Sequence, residues 1–348
     1  NSPFYSQLLN YNPLNLTIGP MVGTLPAGQI RPLPALVKVN GTSRMAVADI
    51  GVPQQPSVDQ TSGHTLNVSW KAAPTMELRS ITAWRKVDAT QWDNSGGAHR
   101  IPVAVAGGVF SRYSLADLWQ NQFSQELQAV GTVERFDYVA GLYYFKEHAS
   151  DDAATPSSNM WNATETGYTI NDPTNQQPGS RLLDRASIAD SKSMAGFGQV
   201  RYTPPIMGDI FHVTVGGRYT KDDKTGKLYM VSGVPTTWTY AQKTSRFNPL
   251  AIVDVNITPD INFYAKYATG YRSGGASSRS LTYRAFGPED NKSYEVGLKT
   301  EFAQKYRLNA AVYTMDRTGS QIDFSNVGYD PFTKTTRNTL ETINAPGT

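Results

Sequence analysis

The sequence contains no cysteine and no long hydrophobic run, and these two absences exclude several classes of protein. Without cysteine there is no disulfide framework, no CxxC redox motif and no cysteine-ligated zinc site. No window approaches the roughly 18 uninterrupted apolar residues of a membrane-spanning helix. Charge of one sign is also lacking, with 32 Lys and Arg against 29 Asp and Glu. We therefore expect no nucleic-acid partner, because such proteins carry a clustered basic face.

Groups that perform catalysis or bind metals are also scarce and scattered. The four histidines are isolated from one another, with no two at a metal-ligand spacing. No Ser/His/Asp set, nucleophile elbow or phosphate-binding loop is present. The acidic pairs at 151–152 and 222–223 lie in polar stretches that are more typical of solvated loops than of calcium sites. The sequence therefore predicts neither an enzyme nor a bound cofactor or metal.

The residues that are abundant suit β-strands with one apolar and one wet face. Hydrophobic residues are 39% and charged residues 18% of the chain, whereas aromatics reach 11% and include 19 Tyr. After a proline-rich stretch over 1–60, apolar and polar residues alternate in segments of about ten residues. The predicted strands are 64–72, 76–88, 121–131, 135–147, 192–203, 209–221, 246–257, 261–272, 292–302 and 305–316.

The connections between these strands alternate between short and long. Pairs of strands are joined by only a few residues, and the pairs are separated by polar stretches at 89–120, 148–191, 222–245 and 273–291. In an antiparallel meander this places all the long loops at one end. Outer-membrane barrels have that asymmetry, and only a closed sheet can cross lipid with its backbone groups paired. A soluble β-sandwich or propeller explains the alternation equally well but explains the one-sided loops poorly.

Each strand separates apolar from charged side chains. A charge at mid-bilayer depth is costly on the lipid face and tolerated in a wet lumen. The predicted lumen-facing polar residues are Arg218, Lys266, Glu295, Lys299 and Arg307. The predicted lipid-facing aromatic girdle consists of Phe211, Tyr219, Phe263, Tyr271, Tyr294 and Tyr306. Gly216 and Gly297 remove side chains from the charged face, where we expect a bulky neighbour.

An ordered set of motifs resembles the β-barrel of TonB-dependent receptors. The set comprises FYAKYATGYRSGG at 263–275, KSYEVGLK at 292–299 and LNAAVY at 308–313. The stretches 78–85, 122–127, 139–145 and 215–220 also resemble strands of that family. The resemblance covers about residues 61–345 and is strongest over 246–325.

The resemblance implies an all-β, antiparallel, up-and-down transmembrane β-barrel of the bacterial outer membrane. Members are large barrels with a lumen filled by a plug domain, and neither the plug nor the closing strands has a counterpart here. We expect a long extracellular loop region over 1–60 and an incomplete barrel of about 10–12 strands over 61–348, with a final strand beginning near 335–343. Coupling to TonB would use a plug segment that is not present in this chain.

The function implied by the resemblance is active uptake of a scarce ligand, of which a ferric siderophore is the commonest kind. Four alternatives remain. They are cobalamin or an oligosaccharide as the ligand of the same architecture, a passive porin-like channel, a soluble β-rich binding module, and a fragment that by itself performs no transport. The implied partners are outer-membrane lipid and a small-molecule ligand. Arginine and aromatic side chains suit anionic chelates. The candidate ligand contacts are Trp161, Tyr168, Trp238, Tyr240 and Arg272.

Overall fold

The computed structural model describes residues 57–93, 109–112, 114–154, 157–161, 168–170, 185–302 and 305–347. Almost all of this backbone is β-strand, with one short 3-10 turn at Met207–Asp209. No helix in these ranges has the length and apolar character needed to cross a membrane. The chain divides into two units, one of residues 1–60, 88–118 and 151–185 and the other of residues 61–87, 119–150 and 186–348. The predicted loop region over 1–60 lies outside the described residues up to residue 56.

The described residues form seventeen strands. They are β1 Val58–Ala73, β2 Met76–Asp93, β3 Val109–Arg112, β4 Ser114–Val133, β5 Phe136–Ala154, β6 Ser157–Trp161, β7 Tyr168–Ile170, β8 Arg185–Tyr202, β9 Phe211–Val231, β10 Val234–Thr258, β11 Ile261–Arg272, β12 Gly275–Ala276, β13 Ala285–Phe286, β14 Glu289–Phe302, β15 Tyr306–Thr318, β16 Ser320–Asp330 and β17 Thr335–Ala345.

Ten of these strands form one antiparallel sheet in the order β1-β2-β4-β5-β8-β9-β10-β11-β14-β15. These are the ten strands predicted from the sequence, so the predicted meander is confirmed. Smaller sheets pair β12 with β13, β16 with β17, and β3 with β6 and β7. The predicted strand near 335–343 is β17, whereas its partner β16 was missed. Gly319, with φ of 65°, separates β16 from β15, so the chain leaves the main sheet there.

The connections follow the predicted asymmetry with one exception. Short connections join successive strands at one end of the strands. They are 74–75, 134–135, 203–210, 259–260 and 303–305. The other connections are longer. β3 lies between β2 and β4, β6 and β7 lie between β5 and β8, and β12 and β13 lie between β11 and β14. The long loop predicted over 222–245 is wrong. There β9 and β10 continue as a paired ladder and turn through Ser232 and Gly233 alone.

The β9–β10 hairpin closes on the turn geometry that a two-residue loop demands. Val231 pairs with Val234, and both Ser232 (φ 47°) and Gly233 (φ 76°) have the positive φ of a type I′ turn. The sequence prediction failed here because apolar residues stop alternating after Tyr219, although the backbone pairing goes on. Side-chain polarity, and not strand structure, changes at that point.

Candidate lipid-facing belt, polar face and outer rim

The main sheet has its apolar side chains exposed and its polar side chains shielded, the reverse of a soluble domain. On one face Val215 is 55% exposed and Phe247 is 63% exposed. On the other face His212, Thr214 and Asp254 are buried. Soluble proteins expose polar groups and bury apolar ones, so the exposed apolar face requires a nonaqueous neighbour.

The strand registers place the predicted lumen-facing charges together on the shielded polar face. Lys266 lies opposite Glu295, in the β11–β14 ladder. Lys299 Nζ lies 5.2 Å from the centroid of the Tyr264 ring. The Tyr264 hydroxyl donates a hydrogen bond of 2.6 Å to Glu295 Oε1. These contacts show that the charged side chains are partnered within one face, and the exposure of this face to a water-filled lumen stays a prediction.

Two further charges of this face have different surroundings. The Arg218 guanidinium lies over the rings of Tyr143, at 5.0 Å, and Phe197, at 5.5 Å. Arg307 forms an exposed ion pair of 2.9 Å with Glu301, on the neighbouring strand. Arg218 is therefore held by aromatic rings, which leave its charge uncancelled.

A hydrogen-bonded network lies on the polar face, near the strand ends that the short turns join. Arg201 pairs with Asp254 at 3.0 Å, and the Asn262 amide donates to Asn256 Oδ1 at 2.8 Å. Asn256 in turn lies 3.1 Å from His212 Nε2. Because buried polar groups need partners, this network accounts for His212 as a structural residue. No group of three or more His, Asp or Glu side chains in the described ranges could hold a metal ion.

Most of the predicted aromatic girdle lies on the exposed apolar face. Tyr219, Phe263, Tyr294 and Tyr306 are all 45% exposed or more. Phe211 shares that face, opposite Val255, and is half-buried. We call these five residues and their apolar neighbours on the same face the belt.

Tyr271 is not part of the belt, contrary to the sequence prediction. Its hydroxyl donates to Asp222 Oδ2 at 2.5 Å, two strands away on the polar face. The β10–β11 ladder ends at the pair of Leu250 and Ala268, and the residue that precedes Leu250 in β10 is Pro249. Proline has no N–H to continue the ladder, so the end of β11 diverges from β10 and Tyr271 reaches the polar side.

Tyr271 contributes to a polar cavity near the strand ends that carry the long connections. We call it the outer-rim cavity. The cavity has a volume of about 590 Å³, and its lining includes Arg218, Asp222, Asn248 and Tyr271. The pattern along single strands did not predict Asp222 and Asn248 as site residues, because the cavity brings together residues of several strands. It combines a cation, an aromatic ring and amide or hydroxyl groups in one recess.

An ion pair fixes the strands beside this cavity. Arg246 Nε and Nη2 donate to the two carboxylate oxygens of Asp290 at 2.7 and 3.0 Å. Such a bidentate geometry is the most specific form of an arginine–carboxylate contact. It links β10 to β14 across the end of β11, where the regular ladder is lost.

The predicted ligand contacts are not gathered in one place by the described structure. Trp238 and Tyr240 pack with Leu228, Val231 and Tyr283 in an apolar cluster on the β9–β10 hairpin, which we call the hairpin cluster. Burial raises the pKa of both tyrosine hydroxyls in it.

The other three ligand candidates lie elsewhere. Arg272 is exposed at the end of β11. Trp161 and Tyr168 are opposite one another in the β6–β7 ladder, within the other unit of the chain. A role for any of the five in ligand binding therefore stays a prediction.

Comparison with known proteins decides the family. The model of the TonB dependent receptor-like β-barrel matches residues 9–346. The chain belongs to this family. Members are transporters of the bacterial outer membrane and are not enzymes. The exposed apolar side chains of the belt are those expected on the lipid-facing side of such a barrel, and their contact with lipid stays a prediction.

Solved structures confirm the fold at low sequence identity. The ferric yersiniabactin uptake receptor FyuA from Yersinia pestis is 19% identical with a TM-score of 0.58, over 76% of this chain and 37% of that one. The siderophore receptor PiuA from Acinetobacter baumannii is 13% identical with a TM-score of 0.57, over 77% and 42%. The copper transporter OprC is 11% identical with a TM-score of 0.54, over 82% and 41%. The chain therefore spans about two fifths of the structures it matches. No curated protein matches it in sequence.

Proposed function

We propose that the full-length protein takes up a ferric siderophore across the outer membrane, using energy delivered through TonB. The observation that supports this ligand class is the outer-rim cavity, where Arg218 and Tyr271 face one recess on the polar side of the barrel wall. Siderophore chelates are bulky and often anionic, so a cation and aromatic rings in a recess suit them. FyuA and PiuA, both named for siderophore uptake, share the fold.

Arg218 is the residue we propose as the main cationic contact. Its two ring neighbours orient the guanidinium without neutralising it. Arg272, Trp161, Tyr168, Trp238 and Tyr240 remain proposed ligand contacts in addition to Arg218. Coupling to TonB is proposed to run through a plug segment of the full-length protein.

The binding test uses the full-length protein in outer-membrane vesicles. Retention of a ferric tris-catecholate, a ferric tris-hydroxamate, cyanocobalamin and Cu(II) is compared by equilibrium dialysis. We expect one of the two ferric chelates to be retained, and Arg218→Gln to weaken its binding roughly tenfold, since hydrogen bonds to charged groups contribute about 1.5–3 kcal/mol. The matched control is Arg135→Gln, because Arg135 pairs with Asp209 at the other end of the strands, where the short turns lie. Retention of cyanocobalamin or Cu(II) alone would contradict the ferric siderophore.

The transport test separates active from passive uptake. Cells that express the full-length protein should accumulate the retained chelate under iron limitation, and accumulation should stop when the proton gradient is collapsed. Uptake that continues unchanged without the gradient would instead identify a passive channel.

A further inference from the structure

Three lysines lie together on the outward-facing side of the barrel wall. Lys192, Lys221 and Lys243 line one cavity of about 320 Å³. The rest of its lining is Met194, Thr244, Ser245 and two carboxylates, Asp222 and Asp223. They come from β8, β9 and β10, which are neighbours in the sheet. The three lysines lie on the opposite side of the wall from Arg218 in the outer-rim cavity, and Asp222 lines both cavities.

The strand register places these lysines immediately beyond the belt. Tyr219 pairs with Phe247, and this is the last apolar outward-facing pair of the β9–β10 ladder. Two residues further along β9, the outward-facing pair is Lys221 with Ser245. Side chains on one face recur every second residue, so the change from ring to ammonium occurs over a single step. We expect such a step at the boundary between acyl chains and headgroups.

The positive charge of the cavity is only partly cancelled. Lys243 lies 3.6 Å from Asp223, and the carboxylate of Asp222 is engaged by Tyr271 on the other face. Within the described part of the chain no ion pair includes Lys192 or Lys221.

These two lysines contact aromatic rings of the belt instead. Lys192 Nζ lies 5.8 Å from the centroid of the Tyr144 ring, and Lys221 Nζ lies 5.8 Å from that of Tyr219. Lysine side chains commonly lay their methylene stems along apolar surface and keep the ammonium group at the polar boundary. Both ammonium groups are therefore held at the top of the belt without a carboxylate.

We propose that this cavity binds the phosphate group of an outer-leaflet lipid, with the acyl chains of that lipid lying along the belt below. Ammonium groups are good point-charge partners for phosphate. The cavity adjoins the belt, which we predict to face lipid, so a phosphorylated lipid would contact both the lysines and the belt. A soluble anion would contact the lysines alone and leave the adjoining rings to other lipids.

The experiment measures lipid bound to the full-length protein in phosphatidylcholine nanodiscs. Bis-phosphorylated lipid A or its dephosphorylated form is added, and bound lipid is quantified by native mass spectrometry. We expect the phosphorylated form to be retained preferentially and the double variant Lys192→Gln/Lys221→Gln to retain roughly tenfold less, since each lysine near an anionic lipid surface adds to the attraction. Lys192→Arg/Lys221→Arg should retain it, because the charges are kept.

The matched control is Lys227→Gln, on the same strand and face as Lys221. Lys227 lies six residues beyond Lys221, about 20 Å along the strand, and should have no effect on lipid retention. Equal retention of both lipid forms by the unaltered protein would overturn the proposal, and this comparison holds even if a variant fails to fold. Displacement of the lipid by millimolar inorganic phosphate would also overturn it, in favour of a free-phosphate site.

Discussion

At the scale of single residues, strand glycines make room for the aromatic rings that define the polar face. A side chain at Gly297 would begin 2.5 Å from the ring of Tyr264, its cross-strand partner. At Gly216 the nearest neighbours are Gly198 and Gln199, at 3.0 and 3.1 Å. The expected bulky neighbour is therefore confirmed at Gly297 as a tyrosine, whereas Gly216 is crowded by backbone and an aliphatic stem.

Gly297→Val should destabilise the barrel by about 1–3 kcal/mol, the usual cost of overpacking. The new side chain would displace Tyr264 from its hydrogen bond with Glu295. Urea unfolding of the full-length protein in lipid, followed by heat-modifiable migration on gels, measures this. The control is Gly270→Val, because nothing lies within 4 Å of a Cβ at Gly270. Equal losses for both variants would contradict the role assigned to Tyr264.

At the scale of structural elements, the β9–β10 hairpin extends beyond the belt and is secured by its own small core. Leu228 and Val231 pack there with Tyr283 of the 277–284 segment. The same segment is tied to β17, since the Leu281 N–H donates to Glu341 Oε1 at 2.6 Å and the Leu340 N–H donates to the Arg279 carbonyl at 3.1 Å. We infer that this part of the unit formed by residues 61–87, 119–150 and 186–348 is a packed structure.

The hairpin turn should tolerate asparagine and reject a β-branched residue. Ser232→Asn should keep or raise the hairpin stability, since Asn-Gly is the preferred type I′ pair. Gly233→Val should lower it by about 1–2 kcal/mol, the cost of a left-handed conformation for such a residue. Hydrogen exchange of the β9–β10 amides beyond Lys221 measures both effects. Gly328→Val is the control, because Gly328 has open space and no positive φ. Unchanged exchange in Gly233→Val would contradict the assigned turn.

The buried phenol of Tyr283 predicts a loss of stability at alkaline pH. Burial, with Tyr240 nearby, raises the pKa of this hydroxyl above its ordinary value. A folded-state pKa above the unfolded one, which is about 10, contributes stability that is complete below pH ~10 and is lost as the pH rises through the raised value. In a titration of tyrosinate absorbance, Tyr283→Phe should remove one late-titrating phenol. Tyr329→Phe, at a 61% exposed position, should leave the late fraction unchanged. The reverse result would contradict burial of Tyr283.

At the scale of the whole molecule, the barrel wall is built with its polarity inverted and then restored beyond the belt. Between Phe211 and Tyr219 the outward-facing residues of β9 are apolar or glycine, and beyond Tyr219 they are charged or polar. The apolar stretch covers about 27 Å of strand at ~3.4 Å per residue, which suits the apolar band of an outer-membrane barrel. The outward surface of one strand thus changes from apolar to polar along its length.

A charge placed within the belt should be far more costly than the same charge beyond it. Val215→Lys should destabilise the full-length protein in lipid by about 2–4 kcal/mol, as expected near the bilayer midplane. Thr225→Lys, on the same strand and face but beyond the belt, should be nearly neutral. Chemical unfolding in lipid vesicles measures both. Two neutral variants would show that Val215 faces water, as an exposed residue of a soluble sheet would.

The sequence by itself determined the ten-stranded meander, the separation of apolar and charged faces and the family. These features are local, because a period-two pattern records the face of each side chain within its own strand. The motifs at 263–275 and 292–299, whose resemblance predicted the family, lie within the residues that the family model matches.

Only the tertiary structure decided which strand ends diverge and which distant side chains meet. Tyr271 alternates with belt residues in the sequence, yet the break in the ladder at Pro249 brings it to Asp222. Trp238 and Tyr240 read as loop residues but pack in the hairpin cluster. Lys192, Lys221 and Lys243 become one site because β8, β9 and β10 are neighbours in the sheet. Each of these contacts depends on register and twist between strands, which a pattern along one strand does not encode.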